Sequence, residues 1–178
     1  IFQSSGPQNF RKYVDSRSAP FTDFAGPSSQ RRILFLGLDT GDPKDQAFAA
    51  NGALDKDQLL AINELVETHK DLFIAAYLHH HPFHHKFFTG FDGWEAFIAA
   101  IRGKVNVVLF GHKHRSEAFF DWYDVPLMLA SGKSTVPHGA ALTFRVIELD
   151  PEASGFGTKL EGVRFYTDEI PAAVPLPV

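Results

Sequence analysis

Nine histidines stand in this 178-residue chain, and seven of them fall between positions 79 and 114. They form two groups. One is the tract His79-His80-His81-Pro82-Phe83-His84-His85; the other is Gly111-His112-Lys113-His114. Neutral imidazole is the commonest protein ligand for transition metals and suits Zn, Mn, Fe, Ni or Cu. His112 and His114 are two residues apart, so in an extended segment they point to the same side. Gly111 allows a sharp turn just before them, and Pro82 fixes the backbone just past the first tract. Two imidazoles from the second group joined by one from His79–His81 would give three nitrogen donors.

Both groups need elements that bring them together. Ile33 to Asp39, Leu72 to Leu78 and Val105 to Phe110 are short apolar runs that read as buried strands. Each histidine group begins where one of these runs ends. Between the first two runs, Asp55 and Gln58 form a capping-box pattern, and Leu59, Ile62, Leu65 and Val66 recur at helical spacing to about His69. Asp92 and Glu95 suggest a second capped helix that runs through Ile101 and stops at Gly103. Strand, helix, strand, helix, strand places parallel strands side by side, and ligands bind beyond the C-terminal ends of such strands. The rest changes character: residues 116–121, 125–131, 140–150 and 161–167 read as strands in an antiparallel meander. The expected class is therefore α/β with a mixed α+β tail. Residues 1–30 are rich in Ser, Gly and Pro and read as ordered loop with aromatic anchors. Pro171, Pro175 and Pro177 make residues 171–178 an extended tail, leaving 1–170 as one domain.

Composition narrows the chemistry. There is no cysteine, which excludes disulfides, thiolate ligands and cysteine nucleophiles and leaves the cellular compartment open. Seventeen Lys and Arg against 21 Asp and Glu give a net charge of −4, without the clustered positive charge of a nucleic-acid surface. No apolar run approaches the roughly 18 residues of a membrane-spanning helix.

The order Leu38-Asp39-Thr40-Gly41, then Gly52-Ala53-Leu54 with Gln58-Leu59, then His80-His81-Pro82, then Leu109-Phe110-Gly111-His112-Lys113-His114 resembles the calcineurin-like metallophosphoesterase family. The resemblance runs from about Phe2 to about Val146 and corresponds to the C-terminal half of that family's domain. It implies a four-layer α-β-β-α sandwich and a hydrolase acting on a phosphomonoester or phosphodiester. Two ions (Mn, Fe or Zn) would lie about 3.5–4 Å apart and activate a hydroxide. On these motifs His80 and His112 would share one metal and His114 would bind the other. His79 and His81 are alternatives for the ligand at His80. His81 is expected to face substrate in a catalytic role, and His79 and His84 to line the substrate side.

The family's upstream DxH, GDxxD and GNH[DE] motifs are not among these residues, and Ile1 would follow shortly after the last of them. Three imidazoles without a bridging carboxylate do not offset the repulsion of two close cations. The chain alone is therefore expected to bind metal weakly, to catalyse poorly and to self-associate through exposed apolar surface. A non-catalytic scaffold or binding module holding at most one ion is the alternative; a closed structural zinc site would want four ligands. Two further matches read as decoys. Gly41-Asp42-Pro43-Lys44-Asp45 fits GDxxD but reads as a turn. Ser131-Gly132-Lys133-Ser134-Thr135 resembles the end of a P-loop but sits among meander strands. His138, and the His84-His85-Lys86 stretch, read as surface loop or as the rim of a site.

Overall fold

The structure, a computed structural model, describes residues 20–26, 32–41, 51–83, 90–132, 142–154, 156 and 160–170. In chain order the elements are β1 (Phe21–Ala25), β2 (Ile33–Gly37), β3 (Gly52–Ala53), α1 (Lys56–Thr68), β4 (Phe73–Tyr77), β5 (Phe91–Asp92) and α2 (Trp94–Ile101). They continue with β6 (Val107–Phe110), β7 (Glu117–Trp122), β8 (Val125–Ala130), β9 (Leu142–Leu149) and β10 (Val163–Ile170). The central sheet has the order β1-β2-β4-β6-β8-β7. Strands β2, β4, β6 and β8 are parallel, and β1 and β7 close the two edges antiparallel. The central strands are apolar on both faces because both faces are covered, so they read as continuous runs and not as alternation.

On one face, Leu34, Leu36, Ile74, Ala76, Val108 and Met128 pack against Ile62 and Val66 of α1 and Phe97 and Ile101 of α2. On the other, Ile33, Phe73, Ala75, Val107, Leu127 and Leu129 pack against the β9–β10 ribbon through Ile147, Leu149, Val163 and Phe165. Phe156 stacks on Phe73 with ring centroids 4.5 Å apart. Helices, sheet and ribbon give three of the four expected layers; a second helical layer is not represented among the described residues.

The expected α/β pattern with an antiparallel tail is present, and its details differ in three places. The Ser-, Gly- and Pro-rich start contains a strand, β1, which pairs with β2 from Phe21↔Gly37 to Ala25↔Ile33. The meander is divided: β7 and β8 join the central sheet, while β9 and β10 form a sheet of their own. The β7–β8 turn has positive φ at Tyr123 and Asp124 (54° and 58°), the two-residue hairpin geometry that matches strand twist. Third, α2 is not capped by Asp92. That residue is paired with Ala53 in a β3–β5 bridge, and the cap position falls to Gly93 with φ 81°.

Asp55 caps α1 as its spacing indicates, accepting from Gln58 N at 2.7 Å. The other half of the capping box is absent, because the Gln58 side chain is engaged elsewhere. Its Nε2 donates to Asp39 O at 2.8 Å and its Oε1 accepts from Asp39 N at 2.9 Å. This buried amide pairs with the backbone just past β2 as a neighbouring strand would, and so fixes the chain leading to Thr40. Replacing Gln58 with Leu should therefore cost more than replacing Asp55 with Ala. About 2–3 kcal/mol is expected against ~1 kcal/mol, read from the midpoints of urea unfolding curves.

Candidate metal centre

The three central strand ends are tied beyond the strands themselves. Leu38 N donates to Tyr77 O at 2.9 Å, Leu78 N to Leu109 O at 2.9 Å, and Gly111 N to His79 O at 3.0 Å. Residues 78–80 and 110–112 therefore leave the sheet side by side. This brings His79, His80 and His112 together, with one ring nitrogen from each within 4.8 Å of the others. His79 Nε2 and His112 Nδ1 are 3.2 Å apart. Metal–imidazole bonds of about 2.0–2.1 Å in tetrahedral geometry place donor nitrogens about 3.3 Å from one another. The His79–His112 pair already stands at that spacing. Three neutral imidazoles suit a borderline ion of the Mn–Zn series.

His80 is the best-held member of the trio. It is 7% exposed, and its Nδ1 lies 2.9 Å from Oγ1 of Thr40, itself 2% exposed. With Nδ1 donating to the hydroxyl, Nε2 keeps its lone pair for an ion; an outer partner of this kind fixes both tautomer and ring plane. Beneath the ring lies Gly52, where any Cβ would overlap the imidazole. Gly52 N donates to Gly90 O at 2.8 Å and Ala53 N to Thr40 O at 3.1 Å, so the glycine is pinned in place.

His112 is held differently. Lys113 N donates back to Gly111 O at 2.9 Å, and His112 between them has φ 71°, a three-residue turn in the strained left-handed region. His114 also has positive φ, 57°. The Gly111–His114 segment is thus not extended, which removes the premise on which His112 and His114 are expected to point to one side. His114 is exposed and stands outside the trio, though its charge is close enough to act on His79.

His81, expected to face substrate, is instead 1% exposed and packed edge-on to Phe110. Its Nδ1 accepts from Phe83 N at 3.1 Å and its Nε2 lies 3.2 Å from Glu117 Oε2. It is not one of the convergent donors. His84, His85, Lys86, His138 and most of the two decoy motifs lie outside the described residues. Of those motifs, Gly41 N turns back to Asp39 Oδ1 at 3.0 Å, and Ser131 N continues the β6–β8 pairing by donating to Phe110 O at 2.8 Å. Thr40, Gly52 and Glu117 are the residues that sequence reasoning did not place in the site. Thr40 and Gly52 lie within the very motifs that carried the family resemblance.

The imidazole of His79 is held below its ordinary 6.5, first by desolvation and second by the nearby charge of His114. The folded state therefore resists a proton that the unfolded chain accepts. Stability should fall as pH drops through about 6.5, with the loss complete below the folded-state value, and His79→Ala should flatten this slope. Unfolding curves across that range, with NMR titration of the His79 ring, check the sign. At position 112 the strain is open to measurement too. Gly should be more stable than Ala there by about 1 kcal/mol in metal-free protein, while both lose ion affinity, as followed by denaturation and by metal titration.

No family model matches the sequence and no curated protein matches it. Solved structures do. A dimetal phosphatase from Danio rerio is similar over 70% of this chain and 56% of its own length, at 13% identity with a TM-score of 0.52. A protein assigned as a 5'-nucleotidase from Staphylococcus aureus, solved with alpha-ketoglutarate, is similar over 88% of this chain and 31% of its own, at 13% identity with a TM-score of 0.44. The chain thus spans little more than half the length of the phosphatase it resembles. With its parallel sheet, its flanking helices and an antiparallel strand pair, this chain shares the mixed α/β fold of that dimetal phosphatase.

Proposed function

We propose that this chain belongs to a metal-dependent phosphoesterase hydrolysing a small phosphomonoester or phosphodiester, to which it supplies histidine ligands. The observation that carries the reading is the meeting of His79 and His80 with His112 at the C-terminal edge of a parallel sheet, in a fold shared with a dimetal phosphatase. His80 and His112 are the residues we assign to one ion and His114 to a second. Bound ions of this kind supply a hydroxide at neutral pH and positive charge for the phosphoryl oxygens. The chain's own contribution is orientation: Thr40 aims His80, the turn at Gly111–Lys113 aims His112, and His79, the exposed member of the trio, faces the phosphoryl group.

A second reading is favoured by the trio itself. Three imidazoles within 4.8 Å, with no carboxylate among the described residues of the group, suit a single ion in a non-catalytic binding module. Stoichiometry and turnover separate the two. Metal content and hydrolysis of p-nitrophenyl phosphate and bis(p-nitrophenyl) phosphate should be measured for this chain and for the full reading frame that encodes it. The phosphoesterase reading expects two ions per molecule and turnover in the full product, with turnover lost on His112→Ala. Unchanged turnover in that variant would sink the assignment, and one ion without turnover would favour the module.

A further inference from the structure

We propose that His81 and Glu117 form a positioning pair that locks the two ligand-bearing segments to each other without help from an ion. The inference rests on the reading of His80 and His112 as metal ligands, with His79 beside them. His81 directly follows two members of the trio, and Glu117 stands at the start of β7, three residues past His114. The link between them is the 3.2 Å approach of His81 Nε2 to Glu117 Oε2.

The protonation pattern follows from the partners. Phe83 N is a donor only, so His81 Nδ1 at 3.1 Å carries the lone pair and the ring proton sits on Nε2, facing the carboxylate. The hydrogen bond is charge-assisted, and its imidazole end is 1% exposed. The rings of Phe110, Phe119 and Phe83 surround that imidazole, with centroids 4.6, 6.1 and 5.9 Å away. The ring itself is buried, so removing the carboxylate takes away its Nε2 contact across the two segments and loosens the tract. The Phe83 bond acts on the same turn from within. One imidazole therefore closes the His79–Pro82 bend on itself and fastens it to the strand that the Gly111–His114 segment leads into. This is the part an outer partner plays for a metal-binding histidine, moved one residue along the chain.

The test uses variants from both sides of the bond. Glu117→Thr suits an edge strand but cannot reach Nε2. His81→Asn keeps an acceptor for Phe83 N but cannot reach Glu117. Glu117→Gln keeps an acceptor for Nε2–H. Ile98→Val in α2 serves as a control of comparable stability loss. Two readouts are taken: NOEs between the His79 and His112 rings in metal-free protein, and Co(II) titration with its visible spectrum. Glu117→Thr and His81→Asn should each lose the ring contacts and bind Co(II) about 10–100-fold more weakly. Glu117→Gln should restore both, and the control should change neither. If one of the first two fails to fold, the other decides. Ring contacts that survive in a folded Glu117→Thr or His81→Asn variant, or losses matched by the control, overturn the proposal. Should the parent protein bind no Co(II) while these variants still lose the ring contacts, the positioning pair stands and the metal reading falls.

Discussion

The pairing of β4 with β6 is the constraint on which the site depends. Its register, Tyr77 opposite Leu109, sets which residues leave the sheet together. Two further rungs, Leu78 N to Leu109 O and Gly111 N to His79 O, carry the pairing past the point where either strand ends. Because side chains alternate along a strand, a slip of one residue would send the wrong set to the site face. Both faces of the sheet are packed, Ala75 and Val107 against one layer and Ala76 and Val108 against the other, and the backbone rungs beyond the strand ends hold the pairing in this register.

Around that pairing the three histidines are held by three different means. His80 is packed, with a hydroxyl on one side and a glycine that leaves room for its ring on the other. His112 is aimed by backbone conformation in a region that non-glycine residues seldom occupy. His79 is the open member, touching His112 and sensing the charge of His114. Backbone strain at His112 and desolvation at His79 both fall within this group, while the sheet beneath them is conventional. A scaffold with well-packed layers can support such costs at its edge, which is where sites of this fold type lie.

The sheet was largely readable from the sequence because its strands are buried on both faces and appear as unbroken apolar runs ending at glycine or histidine. Both helix spans were readable from spacing, and the Asp55 cap from the residue type that favours that position. What escaped reading has a common cause. Residues 20–26 look like loop because the residues around them favour turns, yet edge pairing with β2 makes Phe21–Ala25 a strand. Asp92 has the chemistry of a cap but is drawn into a short bridge with Ala53. His81 looks like a third donor in a run of three, and only packing shows that it turns toward Phe110 and Glu117. Thr40 carries no local signal of its role, since its partner lies forty residues away. Each miss is a tertiary contact outweighing a local preference.

The long connections between the parallel strands have a consequence for how the protein acquires its site. His79 and His80 are neighbours in the chain, but His112 reaches them across a separation of 33 residues and a whole helix. Closing that distance is entropically costly, and parallel pairing is slow to form because its contacts are non-local. The coordinating set therefore does not exist until β4 and β6 have met. An ion present during folding would encounter two adjacent imidazoles and nothing else preorganised. It would stabilise the finished sheet by mass action but could not guide the chain toward it. Occupation of the three-histidine set by an ion would therefore follow the pairing of β4 with β6.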